Sequence, residues 1–186
     1  MRILVPLVAI VAGLPIAAFA FKEGPYPNVT GGFGEQSCHL CHLDNPINAP
    51  GGALDITGVP PIYTPGASYP ITVTIRREGV RRAGFEIAAR FATGRRRGKQ
   101  AGAWRVTDGR AQLIPGAVDR ALTFVQHNLA GSRTAAAGAN AWTIEWTAPA
   151  VAAPVQFNVA ANASNNDDSP LGDYIYVKAV RSAPAR

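Results

Sequence analysis

Both cysteines of this chain and two of its three histidines fall within five residues, Cys38-His39-Leu40-Cys41-His42. The pattern is C-x-x-C-H. Two thiols separated by two residues can reach the two vinyl groups of one haem. A histidine directly after the second cysteine then sets an imidazole nitrogen under the iron. The spacing predicts one covalent c-type haem, with Cys38 and Cys41 as attachment thiols and His42 as proximal ligand. A redox-active or disulfide-linked C-x-x-C pair and a zinc half-site use the same residue types. A disulfide here would close only a tiny loop and stabilise little. Zinc wants four ligands, and His39, His42 and both thiols are too crowded to close that shell well.

The second axial position is constrained by what the chain contains. Met1 is its sole methionine and is expected to leave with a signal peptide, so His/Met ligation is not available. His39 lies inside the attachment loop. His127 is the one distant histidine and the candidate distal metal ligand. The same residue read structurally is a strand-end histidine hydrogen-bonded inside a sandwich. Water, an open site or a ligand from a partner would serve as well.

The elements around the motif fit an exported protein. Met1-Arg2 is a positive start, Ile3 to Ile16 is nearly all apolar, and Ala18-Phe19-Ala20 has the small-x-small form of a signal-peptidase site. The apolar run contains Pro6, Gly13 and Pro15 and is short for a bilayer span. Residues 1–20 are therefore read as a signal peptide. The remaining stretch of roughly 166 residues is enough for one sizeable core. The C-terminal Ser182 to Arg186 carries no anchor signal, and the mature protein is expected to be periplasmic or secreted, with no stable membrane span. Two closely spaced cysteines do not make a disulfide scaffold of the kind small secreted domains use.

Residues 21–53 are rich in Gly, Pro and Asn and read as an irregular segment shaped by what it binds. From Leu54 short alternating runs are separated by turn signals, the mark of an all-β sandwich. Leu54 to Thr57, Tyr69 to Arg77, Gly84 to Thr93, Leu122 to His127, Trp142 to Thr147, Val155 to Ala161 and Tyr174 to Val180 read as about seven main strands. Trp104-Arg105-Val106 suits an edge pairing. The tryptophans are expected in the core, since large aromatics dominate such interiors. Residues 54–186 are thus assigned to one antiparallel, immunoglobulin-like β-sandwich preceded by the haem-binding segment.

The formal net charge is +6. Nine basic residues (Arg76, Arg77, Arg81, Arg82, Arg90, Arg95, Arg96, Arg97 and Lys99) crowd one stretch against Glu78 and Glu86. This run reads as a solvated hairpin tip, or as a dock for an acidic redox-protein partner. Its densest part has no interleaved aromatics, which argues against nucleic acid.

Thr30-Gly31-Gly32-Phe33-Gly34-Glu35 leading into Cys38 and Cys41-His42, Tyr63-Thr64-Pro65-Gly66, Tyr69 to Val73, Gly84-Phe85-Glu86, His127, Trp142 to Pro149, Val155-Gln156-Phe157 and Asn165 to Asp173 follow one another in an order that resembles the choice-of-anchor V domain, a relative of the reelin-type (reeler) domain. The resemblance runs from about Thr30 to Val180. It implies an immunoglobulin-like β-sandwich, and it implies a structural role for a histidine near position 127, since reeler domains can carry one without a haem motif. No acid/base or nucleophile cluster is evident, so a non-enzyme is expected. The first functional reading is an exported monohaem electron-transfer protein. The alternative is a haem-free adhesion or interaction module. A redox enzyme or gas sensor with an open iron site ranks third.

Overall fold

Period-two alternation makes a strand only where one face meets a core and the other meets water. Ile71, Val73 and Ile75 are fully buried while the residues between them are open, and the strand carrying them anchors one of two packed sheets. The computed structural model describes residues 21–185. Among these, the strands are β1 (Gly52–Thr57), β2 (Ile62–Tyr63), β3 (Ser68–Arg77), β4 (Arg82–Phe91) and β5 (Ala103–Val106). There follow β6 (Ala111–Pro115), β7 (Thr123–His127), β8 (Ala139–Thr147), β9 (Val155–Ser164) and β10 (Tyr174–Pro184). The proposed signal peptide, residues 1–20, lies outside the described residues. None of the described helices is long and apolar enough to cross a membrane.

One sheet has the order β1-β3-β8-β5 and the other β2-β10-β9-β4-β7-β6. Their inner faces meet through aromatic contacts. Phe85 of β4 lies 4.5 Å from Trp142 of β8, and Phe157 of β9 lies 4.8 Å from Trp146. Pairs of this kind add about 0.5–1.5 kcal/mol beyond their buried area. The indole N–H of Trp142 donates to the Gly131 carbonyl and that of Trp146 to the Ala101 carbonyl, each at 2.9 Å, so burying these rings leaves no orphan donor. All three tryptophans are buried, as the sequence implies.

The outer face of the six-stranded sheet is covered over its middle strands. Residues 21–51 run across it with little regular structure, apart from one 3-10 turn at Cys38–Leu40. The Val29 N–H donates to Glu86 Oε1 at 2.8 Å, the Asn48 N–H to the Ile175 carbonyl at 2.9 Å, and Glu35 forms an ion pair with Arg90. Both faces of β4 are consequently buried from Ala83 to Phe91.

Several sequence expectations are corrected here. There are ten strands among the described residues rather than about seven. Strands β2 and β6 escaped because one has two residues and the other ends in Pro115 at a sheet edge, too little for alternation to register. The sandwich is not wholly antiparallel, since β2 runs parallel to β10. The first strand begins at Gly52, and β9 and β10 reach Ser164 and Pro184, beyond the alternating stretch of each. The basic run is not one solvated tip. Arg90 is only 5 % exposed and ion-paired, Arg77 lies 3.2 Å over the Tyr174 ring, and only the Gly94–Arg96 turn with Arg97 and Lys99 forms an exposed basic loop.

Candidate functional site

The C-x-x-C-H residues sit on a short turn because Ser37 caps it. The Ser37 hydroxyl accepts from the His39 N–H at 3.2 Å, and Leu40 and Cys41 donate back to the Ser37 and Cys38 carbonyls. The turn packs on β9. It presents Cys38 half-buried and Cys41 exposed, both as free thiols. Burial, followed by the nearby Glu86 carboxylate, pushes the Cys38 thiol up to about 12. His39 turns to the Asn45 carbonyl, 3.0 Å from its Nε2.

His42 is held by a residue far away in sequence. Its Nδ1 lies 2.9 Å from Oδ2 of Asp173, whose side chain is 1 % exposed. Asp173 also accepts from Asn162 Nδ2 at 2.8 Å and from the Asn165 N–H at 3.2 Å. A carboxylate that accepts the Nδ1–H of an imidazole sets its tautomer and leaves Nε2 with a lone pair for a metal. Asn162 Nδ2 is 3.4 Å from both ring nitrogens.

His42, both cysteines and His127 line one cleft. Its volume is about 130 Å³, and it is partly open to solvent. Phe21, Tyr26, Val29 and Leu40 supply apolar walls. Gly84 lies in the wall because any Cβ there would strike the imidazole of His127. His127 is buried, and its Nδ1 accepts the Phe85 N–H at 3.1 Å. Desolvation lowers its pKa, which favours the neutral ring. The tertiary structure therefore brings His127 to the same cleft as the motif, but with Nδ1 used as an acceptor and the ring packed against β4.

Four residues around the cleft escaped the sequence reading: Asp173, Asn162, Arg82 and Glu86. Asp173 and Asn162 lie more than a hundred residues from His42, and no local signal links them. Glu86 is fully buried, its Oε2 has no hydrogen-bond partner, and desolvation pushes its carboxyl up to about 8. Gln126 faces it across the β4–β7 pair and has an unpartnered Oε1. Two orphan acceptors side by side are what a protonated carboxyl resolves, by donating to the amide oxygen. Among the described residues no three Cys, His, Asp or Glu side chains form a metal cluster.

No family model matches this chain, and no curated protein matches it either. Among solved structures the chain is similar to the human F-spondin reeler domain (fragment 1), at 17 % identity over 74 % of this chain and 92 % of that one, TM-score 0.47. It is similar to the Reelin-N domain of F-spondin at 14 % identity over 80 % and 96 %, TM-score 0.49. It is also similar to a cohesin module from a Clostridium perfringens ATCC13124 family 33 glycoside hydrolase, at 10 % identity over 72 % and 96 %, TM-score 0.47. Reeler domains are thus among the solved structures this chain is similar to.

Proposed function

We propose that this chain is an exported protein of choice-of-anchor V type that carries one covalent c-type haem and passes electrons. The observation that carries the reading is the pairing of His42 with the buried Asp173 carboxylate, at the wall of an apolar cleft that also receives both thiols. The residues fit the group. The cleft wall is mainly apolar, the His42 Nδ1 is held against Asp173, and the thiols stand three positions apart on a capped turn.

In this reading Cys38 and Cys41 would hold the group through thioethers, each S–H adding across one vinyl group, and His42 would hold its iron. No oxidant or reductant is consumed, but both thiols must be reduced beforehand. Asp173 keeps the His42 Nδ1–H donated away from the cleft and so keeps Nε2 available as a ligand. Phe21, Tyr26, Val29 and Leu40 exclude water. A bound haem supplies a one-electron ferric/ferrous couple. His127 is the candidate distal ligand; to serve, its Nδ1 must give up the Phe85 N–H and carry a proton of its own. The exposed Arg95, Arg96 and Arg97 suit an acidic redox partner, since charge complementarity speeds encounter.

A haem-free interaction module is the second reading. It is favoured by a core that closes without either cysteine. Mass spectrometry of the mature protein from a host competent in haem attachment separates the two. The expected result is one added haem mass, lost in Cys38→Ala/Cys41→Ala while far-UV circular dichroism stays unchanged. A colourless wild-type protein without added mass overturns the haem reading in favour of the module.

A further inference from the structure

One cation of the cleft lining makes no ion pair among the described residues, although the Asp168 carboxylate is near enough to feel its charge. Arg82 is half-buried at the start of β4 and lines the cleft. Its Nε donates to Asn166 Oδ1 at 2.7 Å and its Nη1 to Ser132 Oγ at 2.6 Å. Both partners are neutral. Among the described residues Arg82 makes no ion pair, and its Nη2 end has no hydrogen-bond partner. Lys22, the other cation of the lining, is ion-paired with Asp168. A guanidinium oriented by two neutral acceptors, with one end of its fork free, is built to receive a carboxylate.

Strand geometry says where that carboxylate would come from. Arg82, Gly84 and Glu86 alternate with the core residues Ala83, Phe85 and Ile87, so they share the outer face that the cleft occupies. Ser37, which caps the Cys38 turn, pairs with Thr30, next to Val29, whose N–H donates to Glu86, and the Glu86 charge is felt at Cys38. Arg82 is four positions down the strand, ~13 Å at about 3.3 Å per residue. Gly84, with no side chain, lies between them. In a protoporphyrin the vinyl groups that become thioethers and the two propionates stand on opposite sides of the ring. A molecule tethered at Cys38 and lying along β4 directs its acid edge toward Arg82.

We propose that Arg82 binds a propionate carboxylate of the covalently attached porphyrin and orients its acid edge in the cleft. The inference rests on the haem reading. It is tested on mature holoprotein by measuring haem mass and midpoint potential in wild type, Arg82→Gln, Arg82→Lys and Arg81→Gln, the last an exposed neighbour. Loss of a fixed positive charge beside the propionate favours the ferric form. Arg82→Gln is expected to keep the haem mass and shift the midpoint negative, while Arg82→Lys and Arg81→Gln stay near wild type. Should Arg82→Gln fail to fold, Asn166→Ala removes one arm that holds the guanidinium and is expected to shift the midpoint the same way by less. Haem mass with an unshifted midpoint in the folded variants overturns the role of Arg82 alone. Absence of haem mass in wild type overturns the haem reading and this inference together.

Discussion

Cys38 and Cys41 are three positions apart, yet they occupy different environments. Cys41 is exposed, whereas protein atoms and the Glu86 carboxylate surround the Cys38 sulfur and push its pKa from 9.0 up to about 12. The thiolate is the nucleophile, so in the folded apoprotein Cys38 is poorly reactive. Alkylation with iodoacetamide at pH 8 is expected to label Cys41 at least about tenfold faster than Cys38, with the difference abolished in urea. Equal rates in the folded protein would contradict the burial described. A haem attached as proposed would have to be joined to Cys38 before folding closes the turn on β9. At this scale the sequence was most legible for the C-x-x-C-H residues, because their chemistry depends on spacing alone. The roles of Asp173, Glu86 and Arg82 were not legible, because each depends on a neighbour from another strand or loop.

The N-terminal segment and β4 explain each other. The alternation of Phe85, Ile87, Ala89 and Phe91 puts these four on one face of β4, yet the even-numbered residues are buried as well. Residues 21–51 lie over Glu86 and Arg90, and Leu122 and Phe124 cover Ala88. The price of that cover is two buried ionisable groups, Glu86 and Arg90, of which Arg90 is matched by Glu35. Glu35 also accepts from Asn28 Nδ2 at 2.6 Å and Thr30 Oγ1 at 2.7 Å, tying the segment together above the sheet. Removing one partner of a buried pair leaves an uncompensated charge, which costs about 3–5 kcal/mol. Glu35→Ala is expected to lower stability by that order in urea unfolding and to open residues 21–51 to limited proteolysis. If the variant matched wild type in both assays, the pair would not be what holds the segment down. Periodicity could not reveal this cover, since an irregular segment has no pattern to match with the face it hides.

For the molecule as a whole, two buried titratable groups pull stability in opposite directions with pH. Glu86 has its carboxyl raised from 4.5 to about 8. The folded state binds its proton more tightly than the unfolded chain does, so this contribution is complete below about 4.5 and is lost as pH rises through about 8. His127 is lowered below 6.5 by desolvation. Its contribution is complete above 6.5 and is lost as pH falls through the lowered folded-state value. Between 6.5 and 8 only Glu86 changes. The urea midpoint of the wild-type apoprotein is expected to decline over that window, by about 1.5 kcal/mol in stability, whereas Glu86→Gln is expected to stay flat. A wild-type midpoint that rose or held level from pH 6.5 to 8.5 would show that Glu86 is not buried as a neutral acid.

Read alone, the sequence determined the all-β class, the burial of the tryptophans, most of the strands and the five-residue motif. These are local properties: alternation has a period of two, turn residues act within four positions, and a C-x-x-C-H spacing is complete in itself. Only the tertiary structure decided that Asp173 meets His42, that His127 shares the cleft while bonded to β4, that Arg82 joins the same lining held by Asn166 and Ser132, and that the basic run divides among separate sites. Each of these joins residues that strand pairing and sheet order bring together. Those pairings are set by the packing of one whole sheet on the other, which no short stretch of chain encodes.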